Sequence, residues 1–177
     1  MSGHNKWAQI KRQKGKTDAM KSKVFSKYAK LITEESRKAK GDVSSPSLKT
    51  AIEKAKAENM PNENIERAIK KALGVGAEVL ETITYEAYGP GGCGIIVEAL
   101  TGNRNKAAQE IKFIFTKHGF ALAGIGSVTW AFEKKPGASW LPTSTTDLND
   151  DDLKLLETLI DELENCDEVQ EVFTNAA

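Results

Sequence analysis

The chain has 177 residues, of which 40% are hydrophobic and 28% charged, and its formal net charge is zero. This length allows one large or two small domains, and the composition is typical of a soluble protein. No apolar run approaches the roughly 18 residues that cross a bilayer, and the first residues lack the pattern of a secretory signal. We therefore expect a cytoplasmic protein that makes no membrane contact.

The two cysteines and two histidines predict neither a disulfide nor a metal site. Cys93 and Cys166 lie far apart, and neither they nor His4 and His118 have the spacing of metal ligands. Two distant cysteines in such a chain are expected to be reduced, as in the cytosol. We expect no metal and no other cofactor.

The zero net charge hides an uneven distribution. Residues 1–72 hold 18 Lys or Arg against 8 Asp or Glu, whereas residues 73–177 hold 7 against 17. Within residues 1–30, nine basic residues face one acid, Asp18. A basic module that binds a polyanion explains this peak, and the alternative is that the two halves neutralise each other by docking. We favour the polyanion because the positive charge is concentrated rather than evenly spread.

The basic half is predicted to be helical. A helix over residues 16–39 would place five basic side chains within an arc of about 80°. They are Lys16, Lys23, Lys27, Lys30 and Arg37. Most charged stripes are solvated helix faces, but this one continues the excess that precedes it, which favours a binding role.

Two proline positions predict the helices that follow. Ser45 before Pro46 has the form of an N-cap with proline at the first helical position, and Pro61 can open a third helix. Gly74 is suited to the position after that helix. We expect residues 1–74 to form a basic three-helix bundle that binds nucleic acid.

The second half changes to the period of strands. Two strands around a Gly-Pro-Gly-Gly turn predict a hairpin, and Asn103 can cap the helix that follows. The predicted order is β-β-α-β-α-β, with later elements at 127–132 (strand), 150–164 (helix) and 168–173 (strand). We therefore predict an acidic α+β domain over residues 76–177, with one mixed sheet and its helices on one face. Its core is expected to include Ile96, Phe115, Trp130 and Leu163.

Two segments of this domain are candidates for phosphate contact. Asn103, Arg104, Asn105 and Lys106 lie at a predicted helix N-terminus, where backbone donors add to the positive field. Phosphate binding and plain capping explain these four residues equally well. The glycine-rich turn at residues 89–92 lacks the Lys-Ser/Thr of a phosphate loop, so a tight hairpin is the simpler explanation.

The spacing of the residues predicts neither an acid/base pair nor a nucleophile with its base. Asp150, Asp151 and Asp152 could serve a Mg²⁺-dependent hydrolase, but three aspartates at a helix start more often complement the helix dipole. We expect a non-enzymatic nucleic-acid-binding module without a small-molecule substrate, and keep the metal-dependent hydrolase as a distant alternative.

Five stretches together resemble a known family. They are MSGHNKWAQIKRQKGKTDAMKSKVFSK, AKAENMPNENIERAIKKALG, YEAYGPGGCGIIVEALTGNRN, FTKHGFALAGIGSVTWAFEKK and LIDELENCDEVQEVFTNA. In this order they resemble the YebC family of bacterial proteins, whose organellar relative is the mitochondrial translational activator of cytochrome oxidase. The resemblance implies a cytoplasmic, non-enzymatic regulator of gene expression. Some members are labelled DNA-binding transcriptional regulators, and others resemble translation factors that engage the ribosome.

The chain departs from the family pattern at two places. Members usually carry a further domain between segments similar to WAFEKK and LPTSTTDLNDDDL, and here we expect that domain to be reduced to a loop at about residues 136–146. Gly102 stands where the family commonly has Asp, which makes the start of the following helix more positive.

The resemblance and the charge pattern together predict the binding residues. Besides the four residues at 103–106, they are Lys6, Lys11, Arg12, Lys14, Lys16, Lys21, Lys23, Lys27 and Lys30. Trp7 is expected to anchor the N-terminal arm to the bundle or, alternatively, to stack on a base. Because lysine serves phosphate contact rather than base reading, we expect ribosomal RNA or tRNA on the ribosome as the partner, with DNA as the alternative.

Overall fold

The chain folds as two compact units, which are described separately. The computed structural model describes residues 5–13, 15, 17–137 and 139–177, and for Arg12 and Gln13 the backbone alone. The helical unit is Lys16–Leu80, and the α+β unit combines Glu81–Ala177 with residues 1–15. This division differs from the expected one, in which residues 1–15 belonged to the helical bundle.

Four helices precede the first strand of the described chain. They are α1 (Lys6–Gln13), α2 (Asp18–Lys38), α3 (Pro46–Ala57) and α4 (Asn62–Ala72). The Thr17 side chain caps α2 by accepting a hydrogen bond from the Met20 N–H at 3.3 Å. Pro46 opens α3 and Pro61 directly precedes α4, which confirms both predicted starts.

The helical unit is the predicted three-helix bundle, built from α2, α3 and α4. Its core consists mainly of small and aliphatic side chains, namely Ile32, Leu48, Ala51, Ala55, Met60, Ile65 and Ala68. Alanine at these positions allows helices to approach closely. The bundle is held further by Ser36, whose buried hydroxyl donates to the Ile69 carbonyl at 3.1 Å.

A buried carboxylate ties α2 to the end of the helical unit. Glu34 is 1% exposed and accepts hydrogen bonds from Arg37 Nε at 3.1 Å and from the Leu80 N–H at 3.3 Å. Burial by itself would raise the pKa of the Glu34 carboxyl, but the hydrogen bonds and positive charge around it outweigh burial and lower that pKa.

The α+β unit is built on a four-stranded sheet. In chain order its elements are β1 (Glu81–Tyr88), β2 (Gly94–Thr101), α5 (Arg104–Lys117), β3 (Leu122–Ala123), β4 (Phe132–Lys135), β5 (Ser139–Pro142), α6 (Asp150–Asn165) and β6 (Val169–Thr174). The sheet has the order β3-β1-β2-β6 with antiparallel neighbours, and an isolated parallel bridge joins Thr146 to Ala176. The expected α+β class is confirmed, and the terminal helix and strand belong to the same unit.

The central strand β2 is buried along its whole length, so both faces of the sheet are covered. On one face, Ile95 and Val97 share a core with Ile111 of α5 and Leu156 of α6. On the opposite face, Ile96 packs in a smaller cluster with Phe173 of β6 and with residues of the β4–β5 hairpin and the segment before it: Val128, Ala131, Phe132 and Trp140. The helices therefore lie on one side, as predicted, and the hairpin shields the other.

The predicted strand over residues 127–132 is wrong. Residues Thr129–Ala131 form a short 3-10 turn, and β4, which begins at Phe132, pairs with β5 rather than joining the main sheet. The buried Glu86 carboxylate accepts the N–H groups of Gly126, Val128 and Thr129 at 2.7–2.9 Å, so these amides are not available for strand pairing. Trp130, which we expected in the core, is 67% exposed.

The glycine-rich segment is the tight hairpin turn that the sequence favours. Gly91 and Gly92 have φ values of 64° and 79°, in the region open to glycine. The Gly92 and Cys93 N–H groups donate to the carbonyls of Gly89 and Pro90 within the turn. These two amides are therefore used by the turn itself.

Removing the Glu34 carboxylate should destabilise the helical unit. In Glu34→Ala, Arg37 and the Leu80 N–H lose their partner, and we expect the free energy of unfolding to fall by roughly 2 to 3 kcal/mol. Urea unfolding followed by circular dichroism measures this change, with Glu53→Ala, an exposed change on α3, as the control.

The same loss should depend on pH. Because the folded pKa of Glu34 lies below its ordinary value, its contribution is present above that value and is lost as the pH falls through the lower folded pKa. The difference between the native protein and Glu34→Ala should therefore shrink below roughly pH 4. A difference that is constant with pH would contradict this account.

Candidate nucleic-acid interface

The first predicted binding residues lie on α1, which packs on the α+β unit. Trp7 is buried in the same core cluster as Leu153 and Leu156 of α6, so the expectation that it anchors the arm to the helical bundle is wrong. Lys6 Nζ lies 3.3 Å from an Asp150 carboxylate oxygen, and Lys11 Nζ lies 2.8 Å from one of Glu164. These contacts form because α6 carries an acidic residue near each end, Asp150 at its start and Glu164 near its last residue.

Two of the predicted phosphate ligands are therefore paired with carboxylates. Lys6 and Lys11 each face a carboxylate within their own unit, as the docking alternative in the sequence analysis supposed. Lys11 Nζ also lies 5.7 Å from the centre of the Trp7 ring, within the range of a cation–π contact. Arg12 lies on α1 with only its backbone described, and Lys14 and Lys16 lie outside the described residues.

Three of the four candidate residues at the start of α5 have partners within the α+β unit: Asn103 caps the helix, and Arg104 and Lys106 form ion pairs. The Asn103 side chain accepts a hydrogen bond from the Lys106 N–H at 3.0 Å, which confirms the predicted cap. Arg104 donates two hydrogen bonds to Glu81, at 3.2 and 2.8 Å, and these lower the pKa of that carboxyl. Lys106 Nζ lies 3.1 Å from Glu168, whereas Asn105 is exposed.

The remaining predicted lysines, Lys21, Lys23, Lys27 and Lys30, lie on α2. Lys21 and Lys30 line a groove between α2 and α4, whereas Lys23 and Lys27 do not line it. Arg37, the last member of the predicted basic arc, is paired with the buried Glu34. The five basic residues of the predicted arc therefore do not form one exposed surface, because Arg37 is paired with the buried Glu34.

The groove has a volume of about 900 Å³ and is lined by cations from both of its helices. Lys21 and Lys30 come from α2, and Arg67 and Lys71 come from α4. Two carboxylates, Asp18 and Glu78, also line it, so the wall is positive on balance. Apolar and small polar side chains complete the lining: Ser22, Phe25, Ser26, Ala29, Thr33, Met60, Asn64, Ala68, Ala77 and Leu80.

Arg67 and Lys71, the two α4 cations that line the groove, were not among the residues predicted from the sequence to bind. The available signal was spacing, since Asn64, Arg67 and Lys71 follow each other at three and four residues and must share one face of a helix. That this face lies opposite Lys21 and Lys30 is decided by the packing of α4 on α2.

Asp150, Asp151 and Asp152, which we considered for a metal-dependent hydrolase, form the first turn of α6. Asn149 caps α6 by accepting a hydrogen bond from the Asp152 N–H at 2.8 Å, and Asp150 faces Lys6. Within the part of the chain that the structure describes, no three His, Cys, Asp or Glu side chains are grouped as metal ligands. None of the helices described is long and apolar enough to cross a membrane.

Comparison with protein families matches both units. Residues 5–75 match the model of the TACO1/YebC protein N-terminal domain, and residues 80–138 and 136–176 match that of the TACO1/YebC second and third domain. The chain belongs to the TACO1/YebC family. The two stretches matched to the second model overlap at residues 136–138, within the segment 136–146 where we expected the inserted domain to be reduced to a loop.

Relatives of this TACO1/YebC chain are named as regulators. A probable transcriptional regulatory protein of Thermoanaerobacter pseudethanolicus is 54% identical over 136 residues, covering 76% of this chain and 55% of that protein. One of Desulfosudis oleivorans is 38% identical over 238 aligned positions, covering 100% of this chain and 97% of the relative. The chain thus spans about half the length of several curated relatives that it matches.

A solved structure supports the same fold. The crystal structure of a conserved hypothetical protein from Aquifex aeolicus superposes with a TM-score of 0.81 at 31% sequence identity, covering 97% of this chain and 96% of that one.

The alignment with the Desulfosudis oleivorans relative is longer than the 177 residues of this chain, so that relative contains residues without a counterpart here.

The ion pair between α1 and α6 predicts a reversible charge effect in this TACO1/YebC chain. In Lys11→Glu, repulsion from Glu164 should speed hydrogen exchange of the α1 amides by about two- to fivefold, the scale of one exposed ion pair. Adding Glu164→Lys should restore the slower exchange. Lys112→Glu, the same charge change on an exposed position of α5, should leave α1 unaffected. Fast exchange in the double variant would show that the pair does not hold α1.

Proposed function

We propose that this chain is a non-enzymatic, nucleic-acid-binding regulator of gene expression that acts in the cytoplasm as a translation factor on the RNA of the ribosome. The observation that carries this proposal is the groove of the helical unit, where Lys21 and Lys30 of α2 face Arg67 and Lys71 of α4. Cations on two walls of one concave surface suit a phosphate backbone. The regulatory names of the relatives support the same class of function.

The kind of cation favours RNA over a DNA operator. Reading of base edges in the major groove of DNA relies on arginine and amide side chains on an exposed helix face. On α2 the only arginine is Arg37, and it is bound to Glu34; of the four groove cations, one, Arg67 of α4, is an arginine. The other basic residues along the described length of α2 are lysines, which act as point charges and suit phosphate contact on folded RNA.

A transcriptional regulator that binds DNA is the second candidate. It is supported by the printed names of the relatives, which call them probable transcriptional regulatory proteins. In either case Arg104 and Lys106 of the α+β unit would contact phosphate only by exchanging their present carboxylate partners, Glu81 and Glu168. Asn103 caps α5, and Asn105 is exposed. We assign the main contact to the helical unit, because its groove carries cations on both walls, and we keep Lys23 and Lys27 of α2 as predicted binding residues.

Binding should weaken steeply with salt. If the four groove cations each neutralise one phosphate, raising the salt concentration from ~50 to ~200 mM should lower the affinity for RNA by about two orders of magnitude, because counterions are released. Fluorescence anisotropy with labelled ribosomal RNA fragments at several salt concentrations measures this slope. An affinity that hardly changes with salt would contradict a phosphate-based interface.

Sedimentation with ribosomes at ~150 mM salt tests the proposal directly. The native chain should sediment with ribosomes, and Lys21→Glu/Lys71→Glu should lose most of this association, since it reverses charge on both walls of the groove. Lys49→Glu/Lys56→Glu, on exposed positions of α3 outside the groove, makes the same change in net charge and should retain it.

The two candidates differ in a second assay. Titration onto random and candidate promoter duplexes at the same salt should show no strong preference among duplexes. A chain that ignores ribosomes but prefers one duplex by a hundredfold, about 2.7 kcal/mol, would establish the transcriptional candidate instead.

A further inference from the structure

The lining of the α2–α4 groove contains more than phosphate ligands. Its walls hold Phe25 and Met60 among several alanines, next to the hydroxyls of Ser22 and Ser26 and the side-chain amide of Asn64. Phe25 is half-buried against the core of the helical unit and also lines the groove, where it adds apolar surface that phosphate contact alone does not require. Aromatic and apolar side chains beside polar groups are instead the features on which unstacked bases are bound.

The shape of the groove also bears on the form of its ligand. A recess of about 900 Å³ is within the range of sites that bind small molecules, so it has room for a few nucleotides. The bases of a duplex are stacked inside it, so a duplex on this face would present its backbone rather than a base to Phe25.

The two carboxylates of the groove favour exposed bases as well. Asp18 and Glu78 would repel a phosphate backbone that filled the recess. Carboxylates do accept hydrogen bonds from the exocyclic amino groups of bases, which a single strand presents freely. Cations for phosphates and carboxylates for amino groups, in one recess, match a ligand that offers both its backbone and its bases.

We propose that the α2–α4 groove binds a single-stranded segment of RNA, with unstacked bases against Phe25 and phosphates on Lys21, Arg67 and Lys71. This inference rests on the proposed RNA-binding function and assigns the form of RNA that the groove accepts. Arg67 reaches a phosphate by exchanging its ion pair with Glu63, which joins two highly exposed side chains at 3.2 Å and is therefore weak.

The test compares two probes on the full chain. They are an eight-nucleotide RNA of mixed sequence and the blunt duplex formed from it and its complement, each measured by fluorescence anisotropy. The native chain should prefer the single strand by at least tenfold. Phe25→Leu keeps an apolar side chain but removes the stacking surface, so it should weaken single-strand binding by about tenfold and leave duplex binding within twofold.

Two further variants separate stacking from a loss of folding. Phe25→Tyr retains an aromatic face and should keep the affinity for the single strand. Ser26→Leu, at an exposed position on the groove wall, narrows the recess without a change in charge and should also weaken single-strand binding by about tenfold. Phe113→Leu, an exposed phenylalanine of the α+β unit, is the matched control and should have no effect.

The outcomes distinguish this inference from the proposed function. Equal affinity for the two probes, or single-strand binding that Phe25→Leu and Ser26→Leu leave unchanged, would overturn the single-strand inference, while loss of ribosome association in Lys21→Glu/Lys71→Glu would still support RNA binding by the groove. A chain that binds neither probe nor ribosomes would overturn both.

Discussion

Burial of β2 on both faces is the constraint on which the α+β unit depends. Each of its eight residues is buried, so the chain must supply a cover for each side of the sheet. Helices α5 and α6 cover one side, and the β4–β5 hairpin with the segment before it covers the other. The Glu86 carboxylate holds that segment in a turn, which brings Val128 and Phe132 onto Ile96 and leaves Trp130 at the surface.

The same unit also determines how the positive charge of the chain is distributed. Because Trp7 is buried with α6, the first lysines lie beside acidic side chains and are partly neutralised. None of the described helices α2, α3 and α4 is acidic, and the groove carries Lys21, Lys30, Arg67 and Lys71 against Asp18 and Glu78. Helix α1 therefore docks on an acidic helix, whereas the groove between α2 and α4 remains positive on balance.

Predictions from the sequence succeeded where the physical cause is local. Proline at the start of α3, the Asn103 cap of α5 and the glycine turn between β1 and β2 each depend on a few adjacent residues, and each lies where it was predicted. The strand at 127–132 failed because its amides bind a carboxylate some forty residues away, which no local pattern reveals. The role of Trp7 was misjudged for the same reason.

The sequence by itself determined the two kinds of domain, the concentration of positive charge near the start of the chain and the resemblance to its family, since these depend on residue order and composition. Only the tertiary structure decided which cations are available. The partners of Lys6 and Lys11 lie 144 and 153 residues further along the chain, and Arg67 and Lys71 join Lys21 only through the packing of two helices. Coulomb and hydrogen-bond energies depend on distances between atoms, and those distances are set by the fold rather than by position along the chain.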